Sequence, residues 1–154
     1  MYTFTKVSLV TGLALASAFA VVAQDKPVKM ASLPASVQAT VKAQLAQGAI
    51  LRGLTTDIEN GKREYEAELT VQGKHRDLAM DSQGTVTEQE DAVALASLPA
   101  AAQAALRKQG RVLSVESVSH QGNFVAYEAV VRKTSGKRSE VRVDKAGNSV
   151  PDNG

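Results

Sequence analysis

Residues 28–35 read VKMASLPA and residues 93–100 read VALASLPA, identical at six positions of eight. A phrase stated twice marks an internal repeat, and a repeat constrains architecture before any single residue does. The correspondence continues outward. Ser32-Leu33-Pro34 matches Ser97-Leu98-Pro99 at an offset of 65, and YEAEL (65–69) matches YEAVV (127–131) at 62. GKHRDLAMDSQGTV (73–86) then matches GKRSEVRVDKAGNS (136–149) at 63. Three residues are lost inside the helical part, close to one turn of 3.6, so the same helix face still points inward.

Each copy opens as a helix. Ser32 and Ser97 are expected N-caps, with Pro34 and Pro99 in the first turn, where a missing N–H costs little. Leu33, Val37, Val41 and Leu45 form one apolar stripe, and Leu98, Ala102 and Leu106 form its counterpart. Gly48 and Gly110 stand where the helices should stop. The phrases before each Ser add a preceding helical turn. The rest of each copy alternates and turns as a meander. Asn60-Gly61 and Gly122-Asn123 mark a first hairpin, Gly73 and Gly136 a second, and Asp81–Gly84 and Asp144–Gly147 a third. Three longer strands and a short one per copy predict an α+β fold of roughly eight antiparallel strands, two tandem helix-plus-meander repeats with the helices on one face.

The strand from Arg63 predicts which face is which. Tyr65, Ala67, Leu69 and Val71 point toward the helix, and Glu64, Glu66, Glu68 and Thr70 point away. In the second copy Tyr127, Ala129 and Val131 point inward. Phe124, Ala126, Glu128, Val130 and Arg132 are expected on the open face. That face is therefore expected to be acidic in one half and partly apolar in the other. Apolar residues beside charges on an uncovered face suit a contact surface, so Glu64, Glu66, Glu68, Phe124, Ala126, Glu128, Val130 and Arg132 are the candidate partner-binding site.

A unit with LP near its start, a short helix, YE-x-x-[LV], then G-K and a D-x-x-G turn resembles the PepSY-like family. Its members are small exported bacterial proteins, also described as β-lactamase-inhibitor-like. The resemblance covers about residues 28–91 and 93–151, most specifically through YEAEL with MDSQG and YEAVV with VDKAG. It implies tandem helix-plus-sheet repeats whose open face holds a protein or peptide, with relatives that restrain secreted peptidases or inhibit enzymes. The chain departs from disulfide-bearing inhibitors of that architecture by having no cysteine. No residue here matches an inhibitor's contact positions.

The ends and the composition narrow the function. Lys6 precedes an apolar, Ala-rich run from about Val7 to Ala20 and then Val21-Val22-Ala23, which predicts a signal peptide over 1–23 cleaved before Gln24. The run is shorter than the roughly 20 residues of a spanning helix. The expected product is periplasmic or secreted and free of the membrane, with repeats at 24–91 and 92–154. Without cysteine, disulfides, thiol chemistry and thiolate metal sites are excluded. Residues 32–91 hold six Lys/Arg against ten Asp/Glu, and residues 97–154 nine against five. Such halves of opposite sign suit self-association, including a homodimer, or a polar partner. Export and few aromatics argue against nucleic acid.

No nucleophile elbow, phosphate loop or dinucleotide fingerprint occurs, so no catalytic residue and no cofactor are expected. Only two histidines are present. A zinc site could combine His75 with Asp77 on its own strand and Glu66 from the next, but a surface histidine beside a hairpin turn is the favoured reading, and no metal site is expected. Glu64, Glu66 and Glu68 lie about 7 Å apart along their strand, better spaced for a charged stripe than for one ion. The reading is an exported, non-enzymatic protein-interaction module, an inhibitor or regulator of an envelope enzyme or sensor. The alternative is a periplasmic small-ligand or metal-binding protein.

Overall fold

A computed structural model describes residues 26–151 apart from Asn60. The expected signal peptide and its expected cleavage point lie outside the described residues. In chain order the elements are β1 (Lys26–Pro27), a 3-10 turn (Met30–Ser32), α1 (Ala35–Ala46), β2 (Ile50–Glu59), β3 (Lys62–Val71), β4 (Lys74–Met80) and β5 (Val86–Ala92). A second 3-10 turn (Leu95–Ser97) follows, then α2 (Ala100–Gln109), β6 (Arg111–His120), β7 (Asn123–Arg132) and β8 (Arg138–Val143). The eight strands form one antiparallel sheet in sequence order. The fold is α+β, an open sheet carrying two helices. The count of eight includes the short β1, because the last strand expected after β8 is reduced to a single bridge between Val143 and Ser149.

The helix starts differ from expectation, for a reason that lies in the prolines. A residue before proline is driven out of the helical region, and Leu33 and Leu98 are extended, at ψ 152° and 157°. The helices therefore begin only at Ala35 and Ala100, with Pro34 and Pro99 as their N-caps. Ser32 and Ser97 are not N-caps. Their hydroxyls close the preceding 3-10 turn, donating at 2.7 Å to the carbonyls of Lys29 and Ala94. Gln38 and Gln103 reach back from the first helical turn, donating to the Leu33 and Leu98 carbonyls at 3.0 and 2.9 Å.

Each helix covers its own core on the same side of the sheet. Leu33, Val37 and Val41 pack on Leu54, Tyr65, Ala67, Leu69, Leu78 and Met80. Leu98, Ala102 and Leu106 pack on Val115, Ala129, Val131 and Val143, with Tyr127 half-buried beside them. The inward phase read from Tyr65 and Tyr127 is the observed one. Between the cores runs β5, whose Val86 packs against the first core and whose residues 87–91 are polar on both faces. On its helix side Asp91 pairs with Arg76 and accepts from Gln89 at 2.6 Å. Gln44 of α1 accepts from Arg76 at 3.3 Å.

The D-x-x-G turns dock the sheet under the helices. Gly84 and Gly147 have φ of +75° and +83°, and a Cβ on either would come within 2.5 or 2.7 Å of a helix carbonyl, Ser36 O or Ala101 O. Only glycine permits both the backbone and the approach. Asp81 and Asp144 hold these turns by accepting backbone N–H bonds from Thr85 and Asn148 at 2.9 and 2.8 Å. The Asn148 side chain also donates to Asp144, and this bond is the main cause holding the Asp144 carboxyl below its ordinary pKa.

Candidate functional site

Strand register places the open face row by row. One row reads Thr55, Glu66, Ala79, Glu88 and His120 across β2 to β6. The next reads Gly53, Glu68, Asp77, Glu90, Val118 and Ala126 across β2 to β7. A third joins Ala92, Glu116, Glu128 and Arg142 on β5 to β8. The floor of the face is small and apolar: Ala79, Val118 and Ala126 are buried. Longer charged side chains close over it, so Glu90 is only 5% exposed and Arg142 only 9%. Glu66, Asp77, Glu88 and Glu90 line one depression around Ala79.

The expected site residues separate into groups. Glu64, Glu66 and Glu68 share the open face, with Glu66 accepting from the Thr55 hydroxyl at 3.1 Å and the Glu68 side chain 53% exposed. Glu128 joins them from β7, 2.8 Å from Arg142 Nε. Ala126 is on this face but wholly buried, as floor rather than contact. Val130 lies between Ser114 and Glu140 in the next row. Arg132 belongs to the sheet's far end, where Arg111, Arg132 and Arg138 stand directly opposite one another on β6, β7 and β8. Phe124 is not on the open face. A bulge between Val118 and Ser119 inserts one residue into β7, pairs Phe124 with Ser119 and so turns it to the helix side. There its ring lies 4.8 Å from that of Tyr127, and Lys145 Nζ sits 4.6 Å from its centroid.

The charge of the face is set by both halves. The second half is basic in total, yet its contribution near the centre is Glu116 and Glu128 as well as Arg142. Arg142 spans the join, 2.8 Å from Glu128 and 3.6 Å from Glu88 of the first half. His120 Nε2 lies 2.6 Å from Glu88, and His75 Nε2 2.7 Å from Asp77. The fold brings a different carboxylate than Glu66 to His75 and Asp77. One ligand atom from each of His75, Asp77 and Glu116 lies within 4.8 Å of the others, so the third carboxylate comes from the second half. Sequence reasoning also missed Glu88, Glu90 and Arg142. The alternation of TEQED over 87–91 signals the two glutamates on one strand face, but that stretch reads as loop if composition is weighed above periodicity. Arg142 carries no local signal, since its partners are set by pairing alone.

No protein-family model matches the chain, and no curated protein matches it in sequence. Solved structures share the fold. A candidate periplasmic protein from Bacteroides eggerthii superposes with a TM-score of 0.62 at 17% identity, over 77% of this chain and 86% of its own. A DUF2874 family protein from Bacteroides uniformis gives 0.61 at 18% identity, over 77% and 86%. A BLIP-like protein from Bacteroides fragilis gives 0.53 at 15% identity, over 75% and 82%. Among the described residues no helix is long and apolar enough to cross a membrane. The chain thus shares its fold with a BLIP-like protein and with a protein named for the periplasm.

Proposed function

We propose that the chain is an exported, non-enzymatic binding module, built from two tandem PepSY-like repeats, whose open sheet face holds a basic segment of another protein. One observation carries this reading. Glu66, Asp77, Glu88, Glu90, Glu116 and Glu128 gather on the central part of one sheet face, interspersed with Arg142, His75 and His120, while Arg111, Arg132 and Arg138 stand at its far end. Carboxylates brought together on a partly desolvated surface repel one another, and a cationic partner relieves that repulsion while gaining orientation and encounter rate. The recurrence of turn, helix, bulge and hairpin in both halves supports duplication. The fold shared with a BLIP-like protein and a protein named for the periplasm supports an exported protein-binding role, as regulator or inhibitor.

The test uses two defined peptides of equal length, one lysine-rich and one glutamate-rich, presented to wild type and to Glu64→Lys with Glu66→Lys. Wild type should bind the lysine-rich peptide alone, and the variant should lose it while keeping its melting curve. Equal binding of both peptides, or unaltered binding by the variant, refutes the reading. Sedimentation of both proteins at the same concentrations tests the homodimer: if the wild type is a dimer that the variant dissolves, a second copy covers the face instead.

A further inference from the structure

We propose that His75, Asp77 and Glu116 bind one first-row divalent cation, best matched by zinc, at a site that bridges the two halves of the sheet. His75 and Asp77 are alternate residues of β4 and so share its open face. Glu116 stands two strands away on β6, opposite Ala92. One step beyond the Arg76–Asp91 pair, the register also sets His75 beside Ala92. Two strand spacings amount to about 9.5 Å, yet ligand atoms of all three residues come within 4.8 Å of one another. They meet because Ala92 between them projects only a methyl group. A zinc ion with bonds of about 2.0–2.2 Å needs donors about 3.3 Å apart, so small side-chain rotations complete the site.

Three further features favour a metal over a mere surface cluster. His75 Nε2 faces Asp77 while its other nitrogen, Nδ1, lies 3.9 Å from Glu68 Oε1. Zinc-bound histidines commonly hydrogen-bond a second carboxylate through their other nitrogen, and Glu68 stands a small side-chain movement away from doing so. Asp77 also borders the depression lined by Glu66, Glu88 and Glu90, whose field concentrates cations. The donor set itself discriminates. One imidazole with two carboxylates suits zinc and its neighbours, whereas calcium and magnesium favour all-oxygen shells of six or more. His75 and Asp77 are each about one-third exposed, leaving the remaining coordination positions open to water.

The proposal does not depend on the basic-partner reading. A cation here would neutralise carboxylates that the partner needs, so the two are separable by experiment. Titration of the chain with zinc chloride alone, by calorimetry and thermal melting, should show one ion per chain and a raised melting temperature. Magnesium or calcium at the same concentration should leave the melt unmoved. His75→Ala and Glu116→Gln should each weaken zinc beyond the roughly 10–100-fold that loss of an outer partner costs. His120→Ala, which removes the other imidazole, should bind as wild type. His75→Gln serves if His75→Ala fails to fold. Absence of zinc binding in the wild type, binding unchanged in the His75 and Glu116 variants, or binding that follows His120 overturns the proposal. A wild type that binds zinc but does not prefer the lysine-rich peptide would refute only the partner reading.

Discussion

Arg142 shows how much a single side chain can carry in this sheet. Its guanidinium is removed from water and set against Glu128 and Glu88, one carboxylate from each half. Removing one partner from a buried ionic group leaves the other charges uncompensated, which costs more than the intact group contributes. Arg142→Met, which keeps the length of the stem, should therefore destabilise the chain by about 2–4 kcal/mol, discounted from the fully buried case because Glu88 and Glu128 keep some solvent contact. Urea unfolding followed by circular dichroism measures it. A smaller loss when Glu128→Gln is already present would show the coupling. At this scale the sequence was legible only in part. Tyr65, Leu69, Val37 and Leu106 announce their burial by period, because apolar phase is a local property. Arg142, Glu90 and Glu116 do not, because a buried charge is defined by neighbours distant along the chain. Phe124 failed for a related reason: one bulge residue reverses every phase beyond it.

Among the elements, the D-x-x-G turns and the end of the sheet make opposite predictions. Gly84 and Gly147 combine positive φ with backbone contact to α1 and α2, so alanine adds left-handed strain to overpacking. Gly84→Ala and Gly147→Ala should each cost about 2–5 kcal/mol. Gly122 also has positive φ but open space around it, and Gly122→Ala should cost only about 1 kcal/mol. Equal losses at Gly122 and Gly147 in denaturant melts would show that helix docking contributes nothing. At the far end, Arg111, Arg132 and Arg138 face one another in register, and like charges directly opposite are unfavourable. Arg132→Glu should raise stability by about 0.2–1 kcal/mol at low salt, with the gain shrinking as salt screens it. The turns were legible as Asp and Gly at fixed spacing. The arginine row was not, since strand register across two hairpins is needed to see it.

The whole molecule poses a question of cooperativity, because its single sheet covers two separate cores. One lies under α1 and the other under α2, and among the described residues the two clusters share no buried apolar side chain. What joins the halves is the β5–β6 ladder from Glu88–His120 to Ala92–Glu116, crossed on the open face by Arg142. Within β5 only the first residue, Val86, packs against a core among the described residues, and residues 87–91 are polar. Local opening free energy follows buried apolar contact, so the second half should be able to loosen while the first stays closed. Leu106→Ala removes a wholly buried side chain from the second core and should cost about 2–5 kcal/mol. Amide exchange followed by mass spectrometry should then accelerate through β6, β7 and β8 far more than through β2, β3 and β4. Val37→Ala should produce the reverse pattern. Uniform acceleration in both variants would mean that the ladder and its charged bridge transmit the loss, and that the two cores open only as one.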